Sequence, residues 1–184
     1  MPRRRSAGAA GQAMSKPGKS GKEGGDEFVP LTAAQLRIKG IALLARREHS
    51  RAEMEKKLAR YSDDKALIAQ ALDQLQTEKL LSDQRFAESV VRVRGARYGS
   101  LRVAQDLRER GVGGELAAGL ISGLKATESE RAQAAWERRF GAPAADGAER
   151  ARQMRFLQSR GFAPDVIRKV VPRAARSASE EDME

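Results

Sequence analysis

One histidine, His49, and no cysteine are present in the 184 residues of the chain. Those two facts remove most of the chemistry that side chains could perform. Thiolate metal sites and disulfide frameworks need cysteines, and zinc motifs such as H-E-x-x-H need paired histidines. His49 falls at a predicted helix junction with no evident titratable partner, so it reads as a polar linker rather than a general base. Asp63 and Asp64 stand together in a predicted turn but supply too few ligands for calcium or magnesium. The glycines of "GVGGE" (111–115) lack the lysine and preceding strand of a phosphate-binding loop. The remaining carboxylates are scattered among arginines and read as helix caps or surface ion pairs. The expectation is a binding protein with no catalytic residue, no metal and no cofactor.

The residue type that does recur is a cation. Lysine and arginine number 35 against 25 acids, a net charge of +10. Residues 28–172 hold 27 of those cations and 18 of the acids, so the part expected to fold is itself basic. A basic folded region favours an anionic partner such as nucleic acid or a nucleoprotein. Arginine suits such a partner because its planar fork bonds carboxylates and phosphates bidentately. The candidates are Arg46, Arg47 and Arg51 around the first helix junction, then Arg85, Arg92, Arg94 and Arg97 on one predicted helix. Arg102 and Arg108 lie on the next. The alternative for any one of them is a solvated face balancing nearby acids. Arg110 and Arg160, near helix C-termini, have a further option, complementing the helix dipole.

These arginines must be positioned by helices, because no alternating strand pattern occurs. Thr32 with Gln35 and Ser50 with Glu53 have the spacing of capping boxes, as does Thr127 with Glu130. Leu36, Ile41, Leu44 and Ala45 predict one apolar face, and Met54, Leu58 and Tyr61 another. Leu67, Ile68, Ala71, Leu72 and Leu75 predict a third. Phe86, Val90 and Val93 form the next stripe, and Ser100 is expected to cap the helix of Val103 and Leu107. Leu116, Leu120, Ile121 and Leu124 follow, then Trp136 and Phe140, then Met154 and Leu157. Pro164 opens the last helix at its first position, with Val166, Ile167 and Val170 inward. "LRERGV" (107–112) and "LQSRGF" (157–162) repeat one helix ending. In each, glycine takes the left-handed C′ position and the next apolar residue folds back onto the leucine.

Leu58, Leu107 and Leu157 are then equivalent positions in three modules of three helices, although the first module has Tyr61-Ser62-Asp63 where the others have Arg-Gly-apolar. Bundles of about 50 residues are marginal alone and should pack on their neighbours as an elongated all-α array. The divisions expected are 28–81, 82–126 and 127–172. A disordered basic arm (1–27) precedes them and a flexible acidic tail (173–184) follows. The arm has no apolar stretch suited to a signal peptide; an organelle transit peptide is the lesser alternative, and Met14 could begin a shorter form. With no apolar run of about 20 residues, no membrane span is expected, and the reading is a soluble, cytoplasmic monomer.

The segments "ALLARREHSRAEMEKKL" (42–58) and "LLSDQRFAESVVRVRGARYGSLRVAQDLRERGV" (80–112) resemble the RecX family, and "FLQSRGFAPDVIRKVV" (156–171) resembles its last module. The likeness covers roughly 31–172. It implies three curved tandem three-helix repeats without enzymatic activity. It further implies lodging in the groove of a RecA filament on single-stranded DNA, with recombinase, ATPase and co-protease activities of RecA falling as a result. One departure stands in the middle module. The family usually has Gly-x-Gly-Pro between the first two helices, and this chain has Tyr98-Gly99-Ser100-Leu101, which keeps the turn but makes the helix start less rigid. Weak direct DNA binding would accompany such a surface. The rival reading is a helical array that binds duplex DNA without RecA, with a steep salt dependence. An adaptor for an acidic protein is a third. The 4% aromatic content argues against a stacking platform for single strands.

Overall fold

The computed structural model describes residues 31–173; the basic arm and all of the acidic tail beyond Arg173 lie outside them. Among the described residues every regular element is a helix: α1 (Ala33–Leu44), α2 (Arg51–Leu58), α3 (Lys65–Thr77), α4 (Asp83–Gly95), α5 (Ser100–Glu109), α6 (Gly114–Ala126), α7 (Glu128–Arg139), α8 (Gly147–Ser159) and α9 (Pro164–Val170). They pack in threes, α1 with α2 and α3, α4 with α5 and α6, and α7 with α8 and α9. Each triplet closes on its own core. The first holds Leu36, Met54, Leu58 and Leu72, the second Phe86, Val103, Leu107 and Ile121, the third Trp136, Leu157, Phe162 and Ile167. Leu58, Leu107 and Leu157 have no exposed surface, so the equivalent leucines are the pivots of three small cores.

Local chemistry sets most of the helix ends. Thr32 and Gln35 form a reciprocal capping box on α1. Ser50 accepts from the Glu53 amide at 3.0 Å and Ser82 from the Arg85 amide at 3.3 Å. Asp64 caps α3 through the amides of Ala66 and Leu67; this acid of the Asp63-Asp64 pair is therefore a helix cap. The two repeated endings are Schellman stops. Val112 and Phe162 donate to the carbonyls of Leu107 and Leu157, and the glycines before them sit at φ 79° and 75°.

Several expectations fail for reasons of tertiary context. Thr127 does not cap α7. Its φ of −105° and ψ of 10° keep the chain close to helical between α6 and α7, and its hydroxyl turns back to the Leu124 carbonyl. Gly99, not Ser100, is the N-cap of α5, and Ser100 sits inside the first turn with its hydroxyl on Glu128. Tyr61 lies over the Lys39 ammonium rather than in the core, and Ala45 is an exposed C-cap. Val93 is 64% exposed. The first module places its Schellman stop one helix later, after α3, where Leu80 donates to the Leu75 carbonyl and Lys79 takes φ 56°.

Candidate functional site

The repeated stop has a use that its own module does not explain: it is the surface on which the preceding module sits. At the first joint the Ser50 hydroxyl donates to the Arg110 carbonyl at 2.6 Å, and a Cβ on Gly111 would overlap that of Ala52. At the second, the amides of Gly99 and Leu101 donate to the carbonyls of Arg160 and Gly161, at 2.9 and 3.2 Å. A Cβ on Gly161 would stand 2.5 Å from that of Arg102. Each joint is also tied by an acid at the first helical residue of the following module. Asp83 accepts from the Arg51 amide at 2.7 Å and Glu128 from the Ser100 amide at 2.9 Å. Both acids face the first turn of a helix, where free amides and the dipole favour negative charge. In the first module, which has Tyr61-Ser62-Asp63 in place of the glycine stop, the Tyr61 carbonyl accepts from the Leu31 amide at 3.0 Å.

Ion pairs within the modules, and one across the first joint, consume part of the arginine set. Arg51 bridges to Asp73 at 2.7 Å and to the Gln76 side chain. Arg85 binds Glu48 at 2.8 Å and the Leu80 carbonyl, across the first joint. Arg94 is pinned to Asp106 at 2.7 Å and lies over the Tyr98 ring, while Arg102 approaches the same carboxylate at 3.5 Å. Arg47 pairs with Glu53 at 2.9 Å. The other four candidates, Arg46, Arg92, Arg97 and Arg108, are exposed and make no ion pair among the described residues. The nine candidates therefore divide into five with structural partners and four that keep their charge available.

His49 and Glu53 explain how the first joint tolerates its charges. His49 Nδ1 lies 3.1 Å from Glu53, whose other oxygen accepts from Arg110 at 3.2 Å. The neighbour that the sequence did not reveal is thus Glu53, four residues on. Burial pushes the His49 pKa below its ordinary value, against the contrary pull of its Glu53 hydrogen bond. Burial would raise the Glu53 carboxyl, but hydrogen bonds from Arg47 and His49 hold it below the usual carboxylate value. This is a joint with a neutral imidazole and an ionised carboxylate, not an acid–base pair facing a substrate.

Beside each joint the surface is hollow. The first cleft, about 600 Å³, is lined by Arg47, Arg92, Arg94 and Arg110 around Phe86 and Val93, with Glu48 as its one acid. The second, about 620 Å³, lies between the end of α4 and helices α7 and α8 and has no acid in its lining. Of the arginines in that second cleft, only Arg97 was among the candidates. Arg131, Arg138 and Arg139 were missed, although their spacing with Ala134 and Ala135 puts them on one helical face.

Residues 82–119 match the family model described as RecX, second three-helix domain, and residues 126–171 the one described as RecX, third three-helix domain. The chain is similar to a regulatory protein RecX of Leptothrix cholodnii, 48% identical over 74% of this chain and 88% of the relative. It is also similar to one of Ralstonia nicotianae, 43% identical over 78% and 90%. The crystal structure of RecX from Lactobacillus salivarius shares the fold, with a TM-score of 0.64 at 18% identity, covering 75% of this chain and 93% of that one. Identity of that order over most of both chains, with the same tandem three-helix units, establishes that the protein belongs to the RecX family of regulatory proteins.

Proposed function

We propose that the protein regulates the RecA recombinase by lodging on the RecA filament formed on single-stranded DNA, lowering its recombinase, ATPase and co-protease activities. The middle module is the docking element, in a monomer acting in the cytoplasm, and the divisions at 28–81, 82–126 and 127–172 are the units of the array. The observation that carries this reading is the surface of α4. It lends Arg92 to one cleft and is followed by Arg97 in the other, both without an acid partner among the described residues. Beside Arg92 it exposes Val93, an apolar side chain that phosphates cannot use and a protein partner can. A surface with both features suits a nucleoprotein better than naked nucleic acid, with DNA phosphates as the secondary contact. Arg46 and Arg108 add to the field that draws the filament in.

The test is the DNA-dependent ATPase of RecA with Arg92→Glu/Arg97→Glu. Both positions are exposed and unpaired, so helical content by circular dichroism should be unchanged while inhibition is lost. Undiminished inhibition by the double variant would reject the docking surface.

A further inference from the structure

We propose that the cleft between the end of α4 and helices α7 and α8 is a binding site for a chain of phosphates. Its rim carries Arg97, Arg138, Arg139 and Arg160, with Arg131 beneath. Ala134 and Ala135 also line it, and their short side chains take little of the space beside the arginines. Phe156 forms one wall, and the Arg160 guanidinium lies over its ring, 3.8 Å from the centroid. Stacking fixes the plane of that fork and leaves its edge N–H groups free for an anion. The Arg139 guanidinium lies farther from the Phe140 ring, 5.8 Å from its centroid.

Two other pairs of arginines among the described residues share a carboxylate, Arg94 and Arg102 at Asp106 and Arg47 and Arg110 at Glu53. Here no acid lines the cleft. Arg131 is occupied: it donates to the carbonyls of Gly95, Tyr98 and Leu124, and burial lowers its pKa. It thereby satisfies helix-end carbonyls whose partial negative charge would otherwise cancel more of the rim. Four cations remain against fractional charges. A single carboxylate answers one arginine fork; phosphates in series carry a negative charge at each step and can meet several forks at once. The cleft volume is within the range of small-ligand sites. A free polyphosphate or the backbone of a single strand offers the same chemistry. The site goes beyond the RecA reading, and its test contains no RecA, so one can fail without the other.

The experiment is calorimetric titration of the full chain with inorganic tripolyphosphate, with a short oligothymidylate and with a hexaglutamate peptide. Tripolyphosphate should bind at about one equivalent, with affinity lowered about tenfold or more in Arg138→Gln/Arg160→Gln, two forks being lost. Arg46→Gln/Arg108→Gln, which removes the same charge elsewhere, should change it by less than about twofold. If tripolyphosphate displaces the oligothymidylate, the cleft takes a strand backbone as well; if it does not, the phosphate source is free. Absence of tripolyphosphate binding, equal weakening by the two double variants, or hexaglutamate binding as tightly would each overturn the proposal.

Discussion

Replacing Gly161 by alanine should loosen the second joint, and Gly141 provides its internal control. Both glycines have left-handed backbone, φ 75° and 68°, so both substitutions carry the conformational cost of an L-residue there, about 1–2 kcal/mol. They differ in what a Cβ would meet. At Gly141 the nearest atom is the Glu137 carbonyl oxygen at 3.4 Å, an ordinary contact. At Gly161 the new carbon would stand 2.5 Å from the Arg102 Cβ and 2.7 Å from its amide nitrogen, neither of which can rotate away. Overpacking of that kind adds about 1–3 kcal/mol. Gly161→Ala should therefore cost about 2–5 kcal/mol against about 1–2 for Gly141→Ala. For a chain of this size the difference corresponds to a Tm lower by roughly 2–12 °C, read by far-ultraviolet circular dichroism. Amide exchange locates the effect. The Gly99 and Leu101 amides, which bond the Arg160 and Gly161 carbonyls, should lose protection in Gly161→Ala and keep it in Gly141→Ala. Equal Tm losses, or unchanged exchange at those two amides, would refute the view that the stop is an intermodular surface.

Lys79, exposed at φ 56° after α3, occupies a position where glycine is free of strain, so Lys79→Gly should raise stability by about 1 kcal/mol in urea unfolding. A second expectation concerns acid. His49 is depressed in the folded state by burial, and Glu53 is depressed despite its burial. Below the ordinary histidine value, about 6.5, the unfolded chain thus binds a proton that the folded joint resists. Stability should fall as pH drops below that value, and fall further below the ordinary carboxylate value as Glu53 adds its share. His49→Gln should flatten the upper part of that profile, measured as Tm against pH, while the lower part persists because Arg47 and Arg110 still face Glu53; an unchanged upper slope would contradict the assignment.

What could be read from the sequence was what is local. The Leu-x-x-Arg-Gly-apolar endings carry their whole mechanism within six residues, and Thr32 with Gln35 or Pro164 need no distant partner. The joints could not be read, because Gly111 is held by Ala52 and Gly161 by Arg102, contacts that sequence spacing alone does not announce. The same distance separates the arginines by role. Arg85 and Arg92 lie close on one helical face, yet Glu48 reaches the first and, among the described residues, no carboxylate pairs with the second. Val93 has the spacing of a core residue after Phe86 and Val90, but the cleft opens beside it. Thr127 and Glu130 satisfy the capping pattern, but Thr127 keeps a near-helical backbone between α6 and α7 and its hydroxyl makes no cap hydrogen bond. Nothing local separates Arg138 and Arg139 from ordinary surface charge, because only the packing of α7 beside the end of α4 and α8 turns them into a rim.

Affinity for RecA-coated single-stranded DNA compared with the same DNA uncoated, by fluorescence anisotropy at two salt concentrations, tests the central claim most directly. An arginine surface interrupted by an exposed valine should hold the coated strand much more tightly and lose less of that affinity with salt, because part of the contact is with protein. Equal affinity for both, with the same steep salt slope, would mean that the cationic array recognises phosphate alone.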